Sequence, residues 1–227
     1  MKNVYGWTEQ QISFLKEINE KSDKFLEKQI IRSSAISRFE CHVELPNVPE
    51  EHSLLYIIPT ILNRSTHALE IGVDKGIGTL LTCNGINDIE EKQIREKSFY
   101  DSIDFNSKDV AYTNGRLNKQ KCLSHIRNHF WKKTSYTVLT RLARSGKNYN
   151  FFFIDGSHDY KDVKCDISLC KELMSPGRNF MLLHDTNAWP GAQSSHGPMK
   201  ALEEVDDYTM KMDFHFRHGM TVLVYDV

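Results

Sequence analysis

Apolar residues gather in short unbroken runs, and from residue 67 onward each run is followed by a stretch with helical spacing of apolar positions. The run Phe151-Phe152-Phe153-Ile154 and the run Phe180-Met181-Leu182-Leu183 show no polar alternation, as expected of central strands covered on both faces. "HALEIGVDKGIGTLLT" (67–82) reads as a short strand, a glycine-rich turn and the start of a helix. "FYDSIDFN" (99–106) reads as a second strand. "FWKKTSYTVLTRLARSGKNY" supplies another short strand, then a helix from about Ser135 to Arg144. Helices are expected in "YKDVKCDISLCKELM" after the Phe151 run and in "PMKALEEV". "YTMKMDFHF" and "GMTVLVYDV" close the chain as two strands near enough to pair antiparallel. Upstream, His52–Asn63 suits a helix with Pro59 at a kink or turn. In residues 8–36, Ile12, Leu15, Ile18, Phe25 and Ile30 form one face of an amphipathic helix broken near Ser22. That helix can cover the core or serve as a substrate lid.

Strands alternating with helices over about 160 residues predict an α/β sandwich with a mostly parallel sheet. The 227 residues suffice for one such domain, with residues 1–50 as a helical extension and 51–227 as the main unit. Charge changes the picture little. Lys+Arg number 29 and Asp+Glu 30, without the basic excess of a nucleic-acid binder. Five cysteines without a C-x-x-C pair suit free thiols in a reducing compartment. "MKNVYGWTEQQ" lacks the apolar core of a secretory signal, and no apolar run is long enough to span a membrane. A cytoplasmic protein is the expectation.

Ligands of an open α/β sheet bind beyond the carboxyl ends of its strands, and four such ends carry suitable chemistry. The first holds Glu70, Gly72, Gly76, Gly78 and Thr79. The glycines allow a close backbone approach and the following helix offers free N–H groups, although tight-turn geometry alone can also require glycine. The spacing G-x-x-x-G-x-G differs from the dinucleotide fingerprint and from the phosphate loop. The second strand ends in Asp104, placed either to accept the two hydroxyls of a ribose or to cap the next turn. The Phe151 strand ends in Asp155, with His158 three residues on, and the Phe180 strand ends in His184-Asp185. Carboxylates on adjacent strand ends can share a hard divalent cation, and an imidazole, titrating near about 6.5, can take a proton at neutral pH.

Together "ALEIGVDKGIGT", "SIDFN", "FIDGSHDYKDVKCD" and "MLLHDTNAWPGA" resemble the class I S-adenosylmethionine-dependent methyltransferases. They are similar in particular to the metal-dependent macrolide-sugar O-methyltransferase and cephalosporin-hydroxylase-like group, over about residues 50–227. The resemblance implies a Rossmann-like three-layer sandwich with a seven-stranded sheet whose last strand is antiparallel. It implies that Glu70, Gly72, Gly76, Gly78 and Thr79 hold the amino-acid end of S-adenosyl-L-methionine, that Asp104 takes the ribose, and that Ser135 lies by the adenine. Asp155, at the meeting of cofactor and acceptor, joins His184 and Asp185 as ligands of Mg2+ or another divalent cation, and His158 is the general base. The group often has Glu where this chain has His184, and the flanks of Ser135 depart from the usual Gly-Asp-Ser.

The expected reaction is O-methylation of a small-molecule hydroxyl, a sugar or natural-product intermediate, with Trp189, Pro190 and Gly191 shaping the acceptor pocket. The alternatives are a metal-independent transferase of the same fold, a nucleotide-dependent oxidoreductase, or a binding protein on a methyltransferase scaffold. The charged segment 83–98, longer than a tight connection between the first two strands needs, is expected as a solvated charged helix, with an insertion, a lid or a partner surface as the alternatives. The N-terminal helix is free to pack on its own domain or on a second subunit of a homo-oligomer.

Overall fold

The structure, a computed structural model, describes Ser13, Glu17 and residues 53–62, 64–89, 91–119, 126–187, 196–214 and 218–227. The amphipathic stretch 8–36, the boundary at residue 50 and Trp189, Pro190 and Gly191 lie outside these, except that Ser13 and Glu17 are both helical. In chain order the elements are α1 (Ser53–Ile61), β1 (His67–Ile71), α2 (Ile77–Asn87), α3 (Lys92–Glu96), β2 (Phe99–Ile103) and α4 (Ser107–Lys119). There follow β3 (Arg127–Trp131), α5 (Ser135–Ser145), β4 (Phe151–Ile154), α6 (Tyr160–Glu172), β5 (Arg178–His184), α7 (His196–Glu203), β6 (Met210–Phe214) and β7 (Met220–Asp226). No helix among the described residues is long and apolar enough to cross a membrane.

The seven strands form one sheet in the order β3-β2-β1-β4-β5-β7-β6. β1 to β5 are parallel, and β7 runs antiparallel between β5 and β6. The expected seven-stranded mixed sheet with an antiparallel last strand is the one observed.

Strand periodicity explains the unbroken Phe151–Ile154 run. Successive side chains point to opposite faces. Phe151 and Phe153 therefore join Leu55, Ile58, Leu80 and Ile86 under α1 and α2. Phe152 and Ile154 join Leu139, Leu142, Val163 and Ile167 under α5 and α6. Both faces are dry, which makes three layers.

Two features differ from the sequence expectation. Cys83–Asn87 is not solvated but completes α2, where Cys83 and Ile86 are fully buried; the expected solvated charged helix is the shorter α3, which has no buried residue. Helix α4, for which no element was expected, packs through Val110, Thr113 and Leu117. That face is too sparse to stand out among its polar residues.

Candidate functional site

Strand register sets the site. Ile71 pairs with both Ile103 and Ile154, Ile103 with Trp131, and Ile154 with Leu183. One residue further on, the ladder continues through Gly72 N–H to Ile103 O, Asp104 N–H to Trp131 O and Asp155 N–H to Ile71 O. Asp104, Gly72, Asp155 and His184 thus stand in one row across the carboxyl edge of β2, β1, β4 and β5. A cleft of about 650 Å³ opens above this row, lined by Gly72, Asp104, Ser135 and Asp155 among others.

Gly72 has φ 87°, and a Cβ there would overlap the carbonyl oxygen of Asp155 and lie 2.7 Å from Gly156 Cα. Only glycine lets β1 and β4 turn away from each other so closely. Asp104 accepts from the N–H groups of Val73 (2.8 Å), Asp74 (3.4 Å) and Asn106 (2.7 Å), tying the glycine turn to the second strand. Its carboxylate also lines the cleft.

Glu70 and Thr79 are placed differently. Both are fully buried beneath the turn, where the Thr79 hydroxyl and Ser102 Oγ (3.0 Å) donate to Glu70 Oε2. Burial raises the Glu70 carboxyl to about 8, against the smaller opposing effect of those hydrogen bonds. Glu70 is therefore largely a neutral acid at pH 7. Gly78 packs on it and on Phe153, and Gly76 caps α2 with φ 74° against Thr113.

Ser135, the first residue of α5, lines the cleft and hydrogen-bonds the buried Asp166 of α6. Burial raises Asp166 to about 6, and the Ser135 bond opposes it. Phe105 and Tyr136, both largely exposed, also line the cleft, as does Lys133.

Beyond the β4 tip the chain turns through Gly156, Ser157 and His158 before Asp159, whose carboxylate accepts from Lys161 N–H at 2.8 Å and caps α6. His158 therefore precedes the helix rather than starting it. Its backbone is fixed from behind by α7, since a Cβ on Gly197 would lie 2.8 Å from His158 C and 2.9 Å from Tyr160 N. His158 Nε2 meets Asp185 Oδ2 at 2.6 Å.

Asp185 has φ 56°, a left-handed conformation unfavourable for a residue with a Cβ. The β6–β7 turn holds it there. Asn187 N–H donates to His218 O (2.8 Å) and Thr186 N–H to Gly219 O (3.4 Å), while His218 Nδ1 lies 3.5 Å from Asp185 Oδ1.

His184 Nδ1 is 3.0 Å from Asp155 Oδ1 and 3.5 Å from Asp185 Oδ2. Burial acts to lower its pKa, but the two carboxylates outweigh it and raise it to about 10, which makes it an imidazolium. Burial likewise opposes ionisation of Asp185, yet the imidazoles of His184, His158 and His218 hold it below the usual carboxylate range.

Asp155, His158 and Asp185 each offer a donor atom, all within 4.8 Å of one another. The set fits a single divalent cation, with two hard oxygens and one borderline nitrogen. Both the expected ligand His184 and the expected base His158 stand at this edge, and the ring nitrogen in this group, within 4.8 Å of both carboxylates, is that of His158. His184 stands beside it, its Nδ1 engaged with Asp155. Sequence reasoning passed over Gly197 and His218. The only local signs were a glycine opening "HGPMK" and a His-Gly turn ahead of the last strand.

The sequence profile of the Methyltransf_24 family, described as a methyltransferase domain, matches residues 69–186, just over half of the chain. No curated protein matches. Among solved structures, a Corynebacterium glutamicum protein is similar with TM-score 0.58 and 18% identity, over 88% of this chain and 98% of that one. The O-methyltransferase TomG from Streptomyces achromogenes, involved in tomaymycin synthesis and solved with S-adenosylmethionine, gives TM-score 0.58 and 16% identity over 78% and 80%. An O-methyltransferase from Bacillus cereus bound to S-adenosylhomocysteine gives TM-score 0.58 and 12% identity over 88% and 90%. At these identities the structures establish a shared fold, and the profile match establishes kinship. The chain belongs to the Methyltransf_24 family and carries its methyltransferase domain.

Proposed function

We propose that this protein moves the methyl group of S-adenosylmethionine to a hydroxyl oxygen of a small molecule, a sugar or natural-product intermediate, seated at Asp155, His158 and Asp185. The observation that carries this is the continuity of the cleft with that cluster: Asp155 both lines the cleft and belongs to the donor group. The O-methyltransferase names of two structural neighbours support oxygen as the acceptor atom. Residues 51–227 form the transferase unit, with residues 1–50 as an extension.

On this reading the backbone at Gly72, Gly76 and Gly78 receives the amino-acid end of the cofactor, while Glu70 and Thr79 brace the turn from below. Asp104 accepts from the ribose hydroxyls and Ser135 borders the adenine. In the transfer, the acceptor oxygen bonds the methyl carbon as the carbon–sulfur bond breaks. The electron pair of that bond stays on sulfur to give S-adenosylhomocysteine, and the hydroxyl proton passes to solvent water. Alignment of the two partners supplies much of the acceleration. A divalent cation held by the Asp155 and Asp185 carboxylates would supply Lewis acidity that makes the hydroxyl easier to ionise. His184 orients Asp155, and the β6–β7 turn orients Asp185.

A second reading keeps His158 as the general base without metal. The 2.6 Å contact with Asp185 favours it, because a carboxylate so placed orients an imidazole for proton transfer.

The test is calorimetric titration with S-adenosylhomocysteine, followed by S-adenosylhomocysteine release with a panel of hydroxylated acceptors, each with and without chelator. The proposal expects cofactor binding in both conditions and turnover lost on chelation. Full turnover under chelation, abolished by His158→Ala, would select the second reading. Absence of binding by the folded protein would overturn both.

A further inference from the structure

We propose that His158 is a direct nitrogen ligand, so that the strand-tip centre of Asp155, His158 and Asp185 takes a first-row transition ion in preference to magnesium. This rests on the metal-assisted reading above and deepens it.

The three donors come from the β4 tip, the turn before α6 and the β5 tip, and they converge within 4.8 Å. Three histidines stand next to the carboxylates; His218 Nδ1 lies 3.5 Å from Asp185 Oδ1, the oxygen that His158 does not meet, and His184 and His158 have different surroundings. His184 is almost entirely buried, with its Nδ1 3.0 Å from Asp155 Oδ1, so that nitrogen is taken up in holding a ligand. His158 is 40% exposed at the mouth, and its Nε2 lies 2.6 Å from Asp185 Oδ2. A cation entering between His158 and Asp185 replaces that single contact. Placed at His184, it would have to break the buried support of Asp155.

Gly197 adds a constraint that a freely moving base would not need. Helix α7 packs so closely on the His158 backbone that no side chain fits between them, and contacts outside a metal centre that position a ligand tune its affinity. An imidazole among three protein donors then sets the metal class. Magnesium dehydrates reluctantly and prefers oxygen, whereas nitrogen favours iron, cobalt, nickel or zinc and is tolerated by manganese.

The experiment loads the full chain with manganese(II) as the probe. It reads nitrogen coupling by pulsed electron paramagnetic resonance, and affinity by equilibrium dialysis against magnesium. The wild type is expected to show coupling from a coordinated nitrogen and to bind manganese at least tenfold more tightly than magnesium. His158→Asp should lose the coupling and narrow that ratio, with His158→Asn as a second variant, while His184→Gln retains the coupling. Retained S-adenosylhomocysteine binding verifies that each variant folds. Bound manganese without nitrogen coupling, coupling lost in His184→Gln but kept in His158→Asp, or equal affinity for the two ions would overturn this inference and leave the metal-assisted reading intact. Failure of the wild type to bind any of the ions would remove both.

Discussion

His158 Nε2 and Asp185 Oδ2 stand 2.6 Å apart although they follow different strands, β4 and β5. Each is held by an element that contributes no strand end to the cleft: α7 presses on the backbone of His158, and the β6–β7 turn fixes Asp185 in its left-handed conformation. The Asp155–His158–Asp185 end of the cleft therefore depends on the last quarter of the chain, while its other end is built from β1, β2 and α5.

Gly197→Ala should push against the carbonyl end of His158. Inserting a methyl group into such a contact costs about 1–3 kcal/mol. Manganese affinity should fall while S-adenosylhomocysteine affinity stays near wild type. Denaturant unfolding and the two binding measurements check this, and unchanged metal affinity would separate α7 from the centre.

Asp104→Asn removes the charge that accepts from the N–H groups of Val73, Asp74 and Asn106. Loss of charge-assisted hydrogen bonds should weaken S-adenosylhomocysteine binding about tenfold or more. Calorimetry measures it. Normal affinity would mean that Asp104 serves the loop alone.

Glu70→Gln should alter the pH dependence of stability. Because burial raises the folded carboxyl to about 8 from an ordinary 4.5, the unfolded chain holds fewer protons than the folded one between those values. Wild-type stability contributed by this group is thus complete below pH 4.5 and declines as pH rises toward 8. Glutamine does not titrate, so the melting temperature of the variant relative to wild type should climb from pH 5 to pH 8. A constant difference across that range would contradict a neutral Glu70.

Gly72→Ala should be among the most damaging single changes. Its φ of 87° and the overlap with Asp155 O together should cost about 2 kcal/mol or more. Cofactor binding should be lost even where the variant folds, as followed by urea unfolding and calorimetry.

Much of the fold was legible because burial leaves a local imprint. Phe151–Ile154 reads as a central strand since each side chain must face a dry layer, and the two closing strands pair as their spacing implied. The acidic strand ends were visible for the same reason, as polar residues that abruptly stop an apolar run. Helix α4 was not visible, because its buried Val110, Thr113 and Leu117 stand among polar residues and leave too faint a period.

The sequence by itself determined the layers, the strand tips and the residue types available there, since these follow from solvent exposure along a short stretch of chain. Only the tertiary structure decided which of those side chains meet. The register of β1, β2, β4 and β5 aligned Gly72, Asp104, Asp155 and His184 in one row. It also sank Glu70 beneath the glycine turn, set His184 to support Asp155, and brought His158 and His218 to opposite oxygens of Asp185. Such pairings join residues up to 84 positions apart, as Asp155 N–H to Ile71 O, and an unbroken apolar strand covered on both faces carries no alternation from which its register could be read.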